Sequence, residues 1–107
     1  MIQDHKGLAT FGDAVLNTII CEQGFNENPK ITKALLTNQK EIHVNNDKLN
    51  EVGYELHIDH ILFHRNKDIQ GKKTLATTLE AIIGALYISQ GYEAAKRFVN
   101  QFIMKQV

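Results

Sequence analysis

Two carboxylates stand in apolar surroundings. Asp13 interrupts the run GLATFGDAVLN (7–17), and Glu80 interrupts TLATTLEAIIGALYIS (74–89). A carboxylate so placed either lies on the solvated edge of a helix or faces inward, where it would offer hard oxygen donors. The local pattern alone leaves both open. A second cluster, His57, Asp59, His60 and His64, puts three imidazoles near one helix face. It lacks the HExxH arrangement of a zinc site and reads as surface or capping histidines rather than metal ligands. Arg65, Lys67, Lys72 and Lys73 flank the loop before the Glu80 segment. They are either a solvated loop or contacts for a phosphate backbone, whose binding would weaken with salt. There is no glycine-rich phosphate loop and no Ser/His/Asp elbow.

The elements that must position these residues are helices. Leu8, Phe11, Val15, Leu16, Ile19 and Ile20 recur at helical spacing, predicting about four turns that end near Gly24. GFNENPK (24–30) reads as a loop, with Pro29 placed to open a second helix through Ile31, Leu35 and Leu36. A third helix carries Leu49, Val52 and Leu56, with Asn45 or Asn46 as its N-cap. HIDHILFH (57–64) continues as a short helix or turn, and RNKDIQGKK (65–73) as a polar loop. Leu75, Leu79, Ile82, Ile83, Leu86 and Tyr87 mark a strong helix that Gly91 breaks. A last helix runs through Tyr92, Ala95, Phe98, Val99, Phe102 and Ile103. The β-branched alternation of strands is missing. The expectation is an all-α fold of five or six helices in a single domain, 1–107.

The totals restrict function. Twelve basic side chains balance twelve acidic ones, so nucleic-acid binding would need a local patch or a groove between two copies. The lone Cys21 excludes an intrachain disulfide and reads as a small core residue. No apolar run approaches the roughly 18–20 residues that span a membrane. MIQDHKG at the N-terminus has no apolar signal core. These features point to a cytoplasmic protein without a membrane segment.

Order and spacing of the motifs add a resemblance. LATFGDAVLN resembles the signature helix of the ribonuclease III family, and TLATTLEAIIGALYIS its second acidic helix. KITKALLTNQ, LNEVGYELHIDHILF and GYEAAKRFV resemble the segments between and after them, from about Gly7 to Val99. The resemblance implies an all-α endonuclease domain that hydrolyses double-stranded RNA as a homodimer, with Mg2+ or Mn2+ held by acids converging from two helices. Asp13 and Glu80 fall on two of the family's acidic positions and would be both its catalytic residues and its metal ligands. Lys67, Lys72 and Lys73 would contact RNA.

The departures matter as much as the matches. Lys6, Ala9 and Thr77 occupy the other three of the five matched acidic positions. Asp4 and Glu22 do not substitute, because each lies nine residues from Asp13, roughly the opposite helix face at about 100° per residue. Lys6 projects toward the face of Asp13 and is expected to supply positive charge in place of a metal. Thr10 stands where the family has the aromatic residue that plugs into the partner subunit, which leaves Leu8, Phe11 and Val15 as the expected dimer face. With no double-stranded-RNA-binding domain in the sequence, grip on RNA is expected to rest on the dimer groove. Three functions follow in order. The first is a catalytically impaired ribonuclease III-like domain that binds structured or double-stranded RNA in RNA processing. The second is an active metal-dependent endonuclease with a reduced acidic site, and the third a dimeric scaffold without RNA binding.

Overall fold

The computed structural model describes residues 5–57 and 72–104. Among these residues there is no strand. Helix α1 spans His5–Glu27, α2 Lys33–His43, α3 Asn46–Glu55 and α4 Lys72–Gln90. Helix α5, Tyr92–Phe98, runs on into a π-helical turn, Val99–Ile103. The expected HIDHILFH helix, apart from His57, and the loop that carries Arg65 and Lys67 lie outside the described residues. No helix among the described residues is long and apolar enough to cross a membrane.

Helices α1 and α4 share the largest interface and form the spine. Leu16, Ile19 and Ile20 of α1 meet Leu75, Leu79 and Ile83 of α4; Leu49 and Val52 of α3 and Ala95, Val99 and Ile103 close the core, all at most 2 % exposed. Helix α2 buries no residue and lies along α1 and α3.

Several helix ends differ from the sequence expectation, each for a local reason. Helix α1 does not end at Gly24 but continues to Glu27. Gly24 is a packing residue: a Cβ there would come within 2.9 Å of Leu36 Cδ1 and 3.3 Å of Ile31 Cδ1. Its bare backbone lets α2 approach, so the helix has no reason to stop. Pro29 does not open α2. Thr32 caps it, its hydroxyl accepting from the Leu35 amide at 3.2 Å, while Pro29 sits in the preceding turn. Of the two candidate caps for α3, Asn45 serves: its Oδ1 accepts from the Lys48 amide at 2.7 Å. Gly91 breaks α4 as expected, with φ 92°, a conformation that glycine adopts without a Cβ penalty.

The final helix widens at Val99. Ala95, Val99 and Ile103, spaced by four, are all fully buried. An α-helix drifts with that spacing, and the wider π turn brings Ile103 back into line with the other two.

Candidate functional site

The site begins with two glycines. Gly12 of α1 lies against the backbone carbonyl of Glu80, and Gly84 of α4 against that of Leu8, where a Cβ on Gly84 would stand 2.6 Å from the oxygen. At this crossing the helices touch backbone to backbone, with no side chain between them. The residues beside the crossing are thereby fixed as neighbours. Asp13 follows Gly12, and Glu80 lies one turn before Gly84.

Asp13 and Glu80 are both half-buried, and their side chains stand close enough for Asp13 to act on the Glu80 carboxyl. The expected convergence of these two acids is therefore present. Their isolation is pronounced: Asp13 is the only charged residue from Gly7 to Cys21, and Glu80 the only one from Thr74 to Tyr92. Burial first, then the hydrogen bond and charge of Asp13, push the Glu80 carboxyl up to about 7 from an ordinary 4.5.

The three departures from the acidic pattern are visible in space. Ala9, one turn before Asp13, is buried at 6 % exposure and presents a methyl group. Thr77, one turn before Glu80, is half-buried and offers one neutral hydroxyl. Lys6 is exposed, and the influences on Glu80 are burial and Asp13. The positive charge expected from Lys6 is therefore not what sets the state of Glu80. Among the described residues no group of three or more Asp, Glu, His or Cys side chains comes together as a metal cluster would. This donor set does not fit a hard divalent cation well. Mg2+ seeks six oxygens in octahedral array, and Lys6, Ala9 and Thr77 add no further carboxylate to these two.

Glu22 is engaged elsewhere, as its helix face implies. The Tyr92 hydroxyl donates to Glu22 Oε1 at 2.7 Å and the Lys96 ammonium lies 3.4 Å from the same oxygen. The Tyr92 bond and then Lys96 hold the Glu22 carboxyl below the usual range. The partners lie 70 residues apart, and no local pattern in the sequence pointed to them.

The expected dimer face needs one correction. Val15 is 6 % exposed and belongs to the core, while Leu8 is half-buried. Phe11 is exposed and rests edge-on against Tyr87, with ring centroids 5.3 Å apart. Ile82 and Ile88 of α4 are also exposed. The outer surface is thus built from α1 and α4 together, with Thr10 exposed at the plug position. Of the residues expected to touch RNA, Lys72 and Lys73 lie in the first turn of α4. Lys67 lies outside the described residues.

The state of Glu80 makes a measurable prediction. Its folded pKa lies above the unfolded one, so its contribution to stability is complete below about pH 4.5 and is lost as pH rises through about 7. His43 acts in the opposite sense, because burial lowers its pKa. Comparison with Glu80→Gln isolates the acid. Urea unfolding from pH 5 to 8 should show the wild type losing about 1–2 kcal/mol relative to Glu80→Gln, a figure reduced for solvent screening at a half-buried site.

Known proteins resemble this chain in sequence and in fold. A family model described as Ribonuclease-III-like matches residues 2–107. The chain is 34 % identical over 102 residues to Ribonuclease 3 of Azobacteroides pseudotrichonymphae, covering 95 % of this chain and 39 % of that protein. It is 32 % identical over 111 residues to Ribonuclease 3 of Enterococcus faecalis, covering 99 % and 48 %. It thus spans less than half the length of these two relatives. The nuclease domain of ribonuclease III from Campylobacter jejuni, solved with attention to flexibility in a region involved in dimer formation, superposes with a TM-score of 0.82. That match has 26 % identity and covers 96 % of this chain and 76 % of the other. With its acid-bearing helices crossed at paired glycines, and its family model matched across residues 2–107, this chain belongs to the Ribonuclease-III-like family.

Proposed function

We propose that this protein binds double-stranded or structured RNA as a homodimer and does not hydrolyse it, serving RNA processing by binding. The observation that carries this reading is the acid site itself. Asp13 and Glu80 stand side by side with no third acid beside them among the described residues, and Lys6, Ala9 and Thr77 stand where the resembled endonucleases have acids. The homodimer is supported by the exposed apolar surface of Phe11, Tyr87, Ile82 and Ile88, and by the C. jejuni neighbour, a nuclease domain with a region involved in dimer formation. RNA binding is assigned to Lys67, Lys72 and Lys73. Lys72 and Lys73 start α4, where unpaired backbone amides favour an anion such as phosphate.

Titration of duplex RNA at several salt concentrations, read by native gel, tests the binding. Affinity should fall steeply with salt. Lys72→Ala/Lys73→Ala should weaken it and flatten the log–log slope by about two for each protomer in contact with the duplex, near one for each phosphate that the variant no longer neutralises. Salt-independent affinity, or none, would favour a dimeric scaffold without an RNA role.

A second reading keeps an active, Mg2+- or Mn2+-dependent endonuclease with a reduced acidic site. It is favoured by the side-by-side placement of Asp13 and Glu80, because Mg2+ is often held by one or two carboxylates plus substrate phosphates. Ion-dependent cleavage of duplex RNA that disappears in Glu80→Ala would select it.

A further inference from the structure

Helix α2 is held less firmly than its neighbours. It buries no residue, whereas α1, α3 and α4 each place side chains in the core at 2 % exposure or less. Leu35 and Ile42 of α2 are each more than half exposed. Its hold on α1 is shallow: Leu36 and Ile31 lie over the bare backbone of Gly24, and both are themselves only half-buried. An element with so little buried apolar surface can open without unfolding the rest.

The far end of α2 carries a pivot and a catch. Two residues, Val44 and Asn45, join α2 to α3. Asn45 serves both helices with one side chain. Its Oδ1 caps α3 at the Lys48 amide, and its Nδ2 donates to the Glu41 and Ile42 carbonyls of α2 at 2.8 and 3.4 Å. Beside this pivot His43, the last residue of α2, is half-buried, and its Nδ1 is enclosed with no hydrogen-bond partner. A doubly protonated imidazole would place a donor and a positive charge there, with no acceptor to receive them. Burial first, and then the Lys48 ammonium of α3, hold the pKa of His43 below its ordinary value. Among the described residues no carboxylate offsets this, from α1, from α3 or from α2 itself; Glu22 of α1 is turned to Tyr92 and Lys96.

We propose that α2 is a hinged arm that acid releases: His43 takes up a second proton only when α2 swings away about Asn45, leaving α1, α3 and α4 packed. In the released arm the imidazole meets water and titrates near the ordinary 6.5. The open state then binds the proton more tightly than the closed one, so a fall in pH shifts the population toward it. The closed arm is fully favoured above about pH 6.5 and loses ground progressively below. Proton uptake by the open state alone sets the ceiling, about thirtyfold more opening at pH 5 than at pH 7.5. The device stands apart from the RNA-binding reading, since it needs neither RNA nor an ion.

Hydrogen–deuterium exchange of the full chain at pH 7.5 and pH 5, corrected for the intrinsic pH dependence of exchange and read by mass spectrometry, tests this. The α2 amides should be less protected than the core amides of α1 and α4 at both pH values. Their protection should fall between about fivefold and thirtyfold at pH 5, and the core amides, which report global unfolding, should not follow. His43→Gln cannot titrate and should remove the fall. His43→Leu is the second non-titrating variant, which keeps the test open if the amide leaves α2 loose at every pH. Three results would overturn the proposal. One is α2 protection equal to that of the core, so that the arm opens only when the whole domain unfolds. Another is α2 protection that is the same at pH 5 and pH 7.5, or that falls in step with the core. The third is a fall with acid that persists in either folded variant.

Discussion

Gly12→Ala is expected to abolish the native packing of α1 on α4, leaving no cooperative thermal transition or one lowered by tens of degrees. Helix propensity alone predicts the opposite sign, because alanine is favoured over glycine in a helix interior by about 1 kcal/mol. The contact decides otherwise. A Cβ on Gly12 would overlap the Glu80 carbonyl oxygen and lie 2.7 Å from its carbon and 2.9 Å from the Gly84 amide nitrogen. All three atoms are backbone, so no rotamer change relieves the clash and one helix must move off the other. Ordinary overpacking costs about 1–3 kcal/mol. Displacing a whole helix from the main core interface should reach or exceed the upper end, against a total stability of about 5–15 kcal/mol.

Gly7→Ala is the matched control. It lies in the same helix with nothing within 4 Å of its added Cβ. It should be neutral or stabilising by up to about 1 kcal/mol. Far-UV circular dichroism of both variants against temperature and urea separates the two effects. Equal behaviour of Gly12→Ala and Gly7→Ala would mean that the helices do not cross as described.

Much of this was legible in the sequence because it depends on local spacing. The periodicity from Leu8 to Ile20 and from Leu75 to Tyr87 gave both spine helices, while the crossing at Gly12 and Gly84 shows only in the structure. What failed to show were features that one sequence writes ambiguously. Gly24 and Gly91 look alike on paper. The first is buried under Leu36 and Ile31 inside a helix, and the second turns the chain with positive φ. Val15 and Phe11 share one apolar pattern, yet the first faces the core and the second faces out. An apolar stripe does not say whether its neighbour is the same chain or another. The π turn at Val99 is set by tertiary alignment of three buried residues. The Tyr92–Glu22 bond depends on how α5 returns to α1. Within the candidate site, the family resemblance placed Asp13 and Glu80 together but did not show that burial and Asp13, rather than Lys6, would set the state of Glu80.

The second large effect concerns rate. Wild-type protein should cleave duplex RNA at least about a thousandfold more slowly than a relative with the complete acid set. A metal ion's stabilisation of developing charge is worth several kcal/mol, and each ~1.4 kcal/mol is a factor of ten. With Lys6, Ala9 and Thr77 in place of acids, that stabilisation has no adequate ligand set. Single-turnover cleavage, with enzyme in excess over labelled duplex, measures the ratio directly. Multiple-turnover rates would mix it with product release.

A decisive measurement incubates labelled duplex RNA with the protein, first with Mg2+ and then with Mn2+, and runs each sample on a native and a denaturing gel. A protein that binds without cutting gives a retarded complex on the native gel and intact strands on the denaturing gel with either ion, and this is the expected outcome. Discrete products that require the ion and vanish in Glu80→Ala would refute it, and would make Asp13 and Glu80 a working hydrolytic site.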